Sequence, residues 1–315
     1  MLTYYHKHQF CQYAGGFMRV YLTGGTGFIG SFTAMELAKA GHEVIILARN
    51  PQKAPALGKI KNIKIVKADM KDFKALSAAI KKPDALVHIA LCWGDTGPEI
   101  IENETLNSVR LIELAIKKGA QKILYTSSTA ASGYYQKRIT EDCRLIPADF
   151  YGATKGAVEL FISAYSHYYP KLKFNIIRPG YTFGNPVVPG SSMQPDNRFR
   201  QICADAKAGR TIQVIKNDGT QFIWAGDLAV LYRKVLESNL KQETFYGLSR
   251  NFLSWEQAAK WAIKYSNSKS KLEVFDCGYS EDPVMFSVEN MNKHFGLTFN
   301  SQEKVKEHIK YILSL

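Results

Sequence analysis

Tyr151 and Lys155 stand four positions apart in Tyr151-Gly-Ala-Thr-Lys155, a spacing that sets a phenol and an ammonium group on one face of a helix. A free phenol ionises near pH 10 or so (about 10 in model peptides), and a cation beside it favours the anion. The pair can therefore take and return a proton nearer neutral pH, as a general acid/base must. The same lysine can hydrogen-bond a ribose. Upstream, Tyr125-Thr-Ser127-Ser128-Thr129 ends an apolar run, and a hydroxyl there can polarise a carbonyl or alcohol oxygen.

A Y-x-x-x-K match alone arises often by chance. It gains meaning from a second feature, Val20-Tyr-Leu-Thr-Gly24-Gly25-Thr-Gly27-Phe-Ile-Gly30, which places G-x-x-G-x-x-G between an apolar run and a helical pattern. Gly24 allows a sharp turn, Gly27 lets backbone N–H groups approach a pyrophosphate, and Gly30 lets the helix pack close to the strand. The unpaired N–H groups and positive dipole end of that helix then face the anion. At the end of the second apolar run, an acid would bind the ribose 2′-OH of NAD, whereas an arginine can hold the 2′-phosphate of NADP. The residues are Ile45-Ile-Leu-Ala-Arg49-Asn50, so NADP is the expected preference, with NAD the alternative.

The elements that must position these groups alternate along the chain. Strands are expected at 19–23, 43–47, 63–66, 85–90, 122–126 and 174–177, and helices at 28–40, 73–80, 99–118 and 151–169. Strands apolar throughout and separated by helices give a parallel sheet covered on both faces. Residues 18–180 thus read as a dinucleotide-binding domain. Residues 181–196 are rich in Gly, Pro, Ser and Asn and read as a loop. Residues 181–315 read mainly as a smaller substrate lobe, with segments returning to the sheet. Residues 1–17 lack the apolar segment and small-residue cleavage pattern of a signal peptide and read as a poorly ordered extension.

Composition excludes several classes. At 46% apolar and 22% charged residues the chain is globular rather than disordered. No apolar run approaches the roughly 18–20 residues that span a bilayer. The five cysteines are scattered without C-x-x-C spacing, and the seven histidines form no ligand cluster, so no metal site is expected. Reduced thiols fit a cytoplasmic protein. The net charge of +13 is spread along the chain, with no nucleic-acid motif, and reads as a solvated basic surface.

Taken together, Thr23-Gly-Gly-Thr-Gly-Phe-Ile-Gly30, Asp69, His88-Ile-Ala90, Ser127-Ser128, Tyr151-x-x-x-Lys155 and Arg178-Pro-Gly180 resemble the extended short-chain dehydrogenase/reductases, also called the NAD-dependent epimerase/dehydratase family. The resemblance runs in order from Met18 to about residue 235, and Met285–Gly296 looks like that family's C-terminal helix signal. It implies a doubly wound Rossmann sheet of about seven parallel strands with a small C-terminal lobe. It implies Tyr151 as acid/base, Lys155 as its modulator and ribose ligand, and Ser128 as the donor to the substrate oxygen. It further implies Phe28, Ile29, Met70, Ala90 and Pro179 along the cofactor, Asp69 at the adenine, and dimerisation through helices that include the Tyr151–Lys155 helix. Trp93, in the loop after the fourth strand, and Thr129 are candidate substrate contacts.

Two positions depart from the family pattern. Sugar-nucleotide members often carry an arginine before the F-x-x-x-D segment, and here the stretch is Gly219-Thr-Gln221-Phe222-Ile-Trp224-Ala-Gly-Asp227. The helix after the fourth strand commonly carries an asparagine where this chain has Glu104, with Asn103 beside it. The first departure and Arg49 favour an NADP-dependent oxidoreductase acting on a small carbonyl or alcohol. The alternatives are an epimerase or dehydratase of a sugar or sugar nucleotide, and a non-catalytic NADP-binding redox sensor.

Overall fold

The computed structural model describes residues 16–133 and 139–315, so most of the N-terminal extension lies outside the described residues. Seven parallel strands form the central sheet. The first six are β1 (Arg19–Thr23), β2 (Glu43–Ala48), β3 (Ile63–Lys67), β4 (Ala85–His88), β5 (Lys122–Thr126) and β6 (Lys173–Pro179). Short strands follow as β7 (Thr182–Phe183), β8 (Ile212–Ile215), β9 (Gly219–Thr220) and β10 (Ile223–Trp224), then β11 (Thr244–Gly247), β12 (Leu253–Ser254) and β13 (Leu272–Phe275). The sheet order is β11-β6-β5-β4-β1-β2-β3, which reverses direction between β1 and β4. A crevice opens at such a switch point, outside the carboxyl ends of the strands.

Both faces of the sheet are buried, as continuous apolar strands require. Val20, Leu22, Val44 and Ile46 face one layer, and Tyr21, Ile45, Leu47 and Leu86 the other. The helices are α1 (Phe28–Lys39), α2 (Phe73–Ala79), α3 (Gly97–Ile100), α4 (Asn107–Lys117), α5 (Thr129–Ser132) and α6 (Phe150–Tyr168), then α7 (Arg198–Lys207), α8 (Ala225–Glu237), α9 (Trp255–Tyr265), α10 (Glu289–Phe295) and α11 (Gln302–Ser314). From the C-terminal part, α8 returns to pack on α1, β11 joins β6, and α10 packs on β11. The lobe itself is α7, α9 and α11 around Phe183, Phe199, Phe222, Trp255 and Ile309. Its rings meet mostly edge-to-face, as at 4.9 Å between Phe222 and Trp255.

Three details differ from the sequence expectation. Residues 99–118 are not one helix: a π-helical turn (Ile101–Leu106) separates α3 from α4. The wider turn brings Glu104 and Thr105 into the interior. Strand β4 stops at His88 rather than residue 90: the Ile89 N–H divides between Thr23 O at 3.3 Å and Thr23 Oγ1 at 3.2 Å, and the Ala90 N–H turns to Thr23 Oγ1 at 3.2 Å. And β11, only four residues long, is a segment returning to the sheet that the sequence does not locate.

Candidate functional site

The glycine turn has the predicted geometry. Gly24 sits at φ +72°, where a Cβ would stand 2.7 Å from the Ala90 backbone nitrogen. A Cβ on Gly30 would stand 2.1 Å from Gly24 O, so only glycine lets α1 start this close to β1. Gly27 is the N-cap of α1, offers no side-chain cap, and is followed by no acid in the first turn. The N–H groups of Phe28, Ile29 and Gly30 therefore have no intrahelical acceptor. They open on a groove lined by Gly24, Gly27, Phe28, Ile29, Gly30, Arg49, Asn50, Lys53, Asp69, Met70, Ala90, Cys92 and, from the lobe, Pro195. An uncapped helix start beside exposed cations fits a pyrophosphate dinucleotide. Ser192 Oγ donates to Thr26 O at 3.4 Å and ties the lobe to the turn. Pro179 stands apart, at the end of β6 and paired with Gly247, and does not line this groove.

A buried relay shapes the groove's wall between β1 and β4. Thr23 Oγ1 accepts the two N–H groups of Ile89 and Ala90, so its own proton goes to His88 Nδ1 at 2.7 Å. The Nε2–H of the neutral ring then donates to Ser108 Oγ at 2.9 Å. Burial, and after it the Lys155 ammonium, push His88 down to about 3. A histidine whose folded pKa lies below its unfolded value binds its proton preferentially in the unfolded chain. Stability owed to the neutral ring is therefore lost as pH falls below the unfolded value. The wild type is expected to lose stability relative to His88→Asn by up to about 1.4 kcal/mol per pH unit between roughly pH 6 and 4. Urea midpoints of the two proteins measured across that window check this; curves that stay parallel would refute the buried neutral ring.

The acid/base candidates lie further along the carboxyl edge. Asp149 caps α6 by accepting from Gly152 N at 2.6 Å, which fixes the helix start next to Tyr151. Tyr151, Lys155 and Glu159 follow at four-residue steps on the inner face, Tyr151 half-buried and the other two buried. Lys155 Nζ lies 5.9 Å from the Tyr151 ring centre and 5.3 Å from that of Tyr125 on β5. It donates to Glu104 Oε1 at 2.7 Å, and both side chains are almost wholly buried. The other oxygen, Oε2, accepts from Cys92 N at 2.8 Å. Burial works against the lysine's charge, but the Tyr125, Glu104 and Tyr151 side chains more than offset it and hold its pKa above the ordinary value. Burial pushes the Tyr125 phenol far up, so Glu104 is the anion that matters. Burial likewise pushes the Cys92 thiol up to about 11, which makes it a poor nucleophile.

Ser128 caps α5 by accepting from Ala130 N at 3.1 Å, and Thr129 begins that helix; both are buried where α5 packs on α6. Trp93 is 58% exposed, and its ring centre lies 6.2 Å from that of Tyr151. Its loop is held by Trp93 Nε1–H to Asp95 at 2.9 Å, Asn103 Nδ2 to Trp93 O at 2.9 Å, and the Thr96/Glu99 capping box of α3.

Sequence reasoning missed Lys53, which follows Arg49 on a short 3-10 turn (Pro51–Lys53) capped by Asn50. A basic residue four positions past the strand-end arginine was the available signal. It noted Glu104 only as a departure, since the π turn that aims it inward has no compositional mark. Gln221 lies in the stretch before Phe222, which carries no arginine. Its amide is engaged by Ser249 O at 3.0 Å, Phe286 O at 3.1 Å and Phe286 N at 2.8 Å. Among the described residues, no group of three or more His, Cys, Asp or Glu could hold a metal ion, and no helix is long and apolar enough to cross a membrane.

Comparison with known proteins gives a consistent picture. The family model described as NAD dependent epimerase/dehydratase family matches residues 20–246. A UDP-glucose 4-epimerase of Neisseria gonorrhoeae is 31% identical over 54% of this chain and 54% of its own length. An uncharacterized protein of Saccharomyces cerevisiae is 32% identical over 42% of this chain and 46% of its own. The chain thus matches about half the length of these two relatives. An uncharacterized oxidoreductase of Schizosaccharomyces pombe is 24% identical over 90% of this chain and 94% of its own. Among solved structures, a UDP-glucose-4-epimerase of Stenotrophomonas maltophila with bound NAD and formylated UDP-arabinopyranose superposes with a TM-score of 0.80 at 18% identity, covering 94% of this chain and 97% of that one. The Bordetella bronchiseptica enzyme WbmG in complex with NAD and UDP gives 0.77 at 19% identity, covering 95% and 94%. At such identities the likeness concerns the fold.

Proposed function

The chain belongs to the NAD dependent epimerase/dehydratase family, and from that premise we propose that it catalyses dinucleotide-dependent reduction or oxidation of a small carbonyl or alcohol compound, with NADP the preferred dinucleotide. The observation that carries this reading is the Lys155–Glu104 pair, buried beneath Tyr151, whose carboxylate also holds the Cys92 backbone at the end of the glycine-turn groove. The groove residues Gly24, Gly27, Phe28, Ile29, Gly30, Arg49, Asp69 and Ala90 would hold the dinucleotide, whose nicotinamide would supply the hydride or take it up. Tyr151 gives its phenolic proton to the substrate oxygen or accepts it back. Lys155 modulates the phenol and bonds the ribose. Ser128 donates to the substrate oxygen and orients it, while Trp93 and Thr129 bound the substrate. The segment 181–315 closes the site as a substrate lobe. A second copy of the chain docks through α6, whose outer face exposes Leu160 and Phe161.

The NADP preference rests on Arg49, Lys53 and Asn50, all exposed at the groove and with no acid at the end of β2. Charge-assisted hydrogen bonds contribute about 1.5–3 kcal/mol each. Replacing both cations by alanine is therefore expected to weaken NADPH binding at least about tenfold and leave NADH binding nearly unchanged. Fluorescence titration of the two cofactors checks this, and equal losses for both would remove the assignment.

A second reading, epimerisation of a sugar nucleotide, is favoured by relatives and structural neighbours named as UDP-glucose 4-epimerases. Against it, the Gln221 amide is committed to backbone groups and offers no cation to a diphosphate. The two separate in one assay. Consumption of NADPH with a panel of aldehydes and ketones supports the first. Retained dinucleotide with interconversion of UDP-sugars and no net redox change replaces it with the second.

A further inference from the structure

Glu104 brings two parts of the site under one carboxylate. From the π turn, its Oε1 meets Lys155 Nζ on α6 at 2.7 Å, and its Oε2 meets the backbone N–H of Cys92 at 2.8 Å. Cys92 is followed by Trp93, whose ring faces Tyr151. Thr105, next along the turn, exchanges a hydroxyl hydrogen bond with Thr154, next to Lys155 on α6. The π turn thus grips α6 at two consecutive residues. A carboxylate with no exposure costs much to desolvate and persists only with its charge and lone pairs matched, which Lys155 and Cys92 do here.

We propose that Glu104 is a positioning residue that cancels the charge of Lys155 beneath Tyr151, so that the phenol keeps its proton and serves as the donor to a carbonyl oxygen. This rests on the function proposed above and deepens it by assigning a direction, reduction. In that step the carbonyl carbon takes the hydride that a reduced nicotinamide would supply when bound, the C=O π pair passes to oxygen, the Tyr151 O–H bond breaks as an O–H bond forms on that oxygen, and the phenolate regains a proton from solvent. The groups facing Lys155 are few. His88 on β4, Tyr125 on β5 and Tyr232 on α8 are neutral, the Cys92 thiol is protonated, and Glu159 on α6 is taken by Arg178. Near neutral pH the local charge is therefore that of Lys155 and Glu104, which sum to zero. An isolated ammonium at this spot would favour the phenolate; the paired one does so far less.

The test compares E104Q, K155M and the double variant, each with and without Tyr151→Phe. The readout is the tyrosinate absorbance near 295 nm that depends on Tyr151, followed against pH without substrate. E104Q leaves an unbalanced cation, and the Tyr151 step is expected to move to lower pH by about one unit or more. K155M leaves an unbalanced anion and moves it up, and the double variant returns it close to the wild-type position. The double variant and K155M decide the matter even if E104Q does not fold. A step that stays in place in E104Q, or a double variant that follows K155M, overturns the proposal. The pH profile of carbonyl reduction should shift in the same sense in E104Q, whereas a purely structural role lowers kcat and leaves the profile where it was. Absence of any carbonyl reduction would refute the proposed function alone, since the absorbance titration reads Glu104 without turnover.

Discussion

Tyr151→Phe is expected to lower turnover by about 10²–10⁴-fold while NADPH affinity stays within a small factor of wild type. The substitution removes one oxygen and keeps the ring. The face toward Trp93, 6.2 Å between centres, is preserved, as is the Asp149 cap that starts α6. The groove proposed for the dinucleotide is lined by the start of α1, the segments that follow β1, β2, β3 and β4, and Pro195, and does not include Tyr151. Binding and chemistry should therefore separate: the dissociation constant of NADPH is unmoved, kcat collapses, and the melting temperature changes little. A variant that kept full turnover would mean that the proton comes from elsewhere. No turnover in either protein, with NADPH bound equally by both, would instead revive the reading of the chain as a sensor that binds NADP and does no chemistry. Measuring affinity and steady-state rates on the same preparation distinguishes the outcomes.

Most of the frame was legible in the sequence because it follows from local rules. The apolar runs of β1, β2 and β5 and the glycine spacing between β1 and α1 are patterns read within a few residues, although the atoms that exclude a Cβ at Gly24 belong to Ile89 and Ala90. Gly24 and Gly30 are read alike in the sequence and in the structure because a Cβ is excluded at each by backbone atoms nearby. Tyr151 and Lys155 were legible because helical spacing alone puts them on one face. What escaped depended on contacts distant in sequence. Glu104 is 51 residues from Lys155, and nothing in Ile101–Leu106 announces a π turn. His88 looked like one member of a motif. Its place as the link between Thr23 and Ser108 emerges only when β1, β4 and α4 are assembled. The seventh strand was hidden for a related reason: Thr244–Gly247 is too short to show a period, and only β6 beside it makes it a strand.

Arg178 extends the same logic to stability. Its guanidinium meets Glu159 with two bonds, 3.0 Å from Nε and 2.7 Å from one terminal nitrogen. The other terminal nitrogen donates to Glu141 O and to the Tyr246 hydroxyl, each at 3.1 Å. One side chain on β6 thereby joins α6, β11 and the segment before α6, and it grips α6 one turn beyond Lys155. Both partners are close to fully buried, at 5% and 6% side-chain exposure. In such a place the pair's net contribution is modest, because desolvation offsets much of the attraction, but removal of one member leaves the other stranded. Arg178→Met is expected to cost about 3–5 kcal/mol, and on a chain of this size a fall in melting temperature of roughly 10 °C. The double variant Arg178→Met/Glu159→Leu should recover most of that loss, since a stranded charge costs more than a missing pair. Urea unfolding of the two singles and the double gives the coupling directly. If the double variant were less stable than the wild type by the sum of the two single losses, the two side chains would be acting independently, and the fixed register of α6 against β6 would need another source.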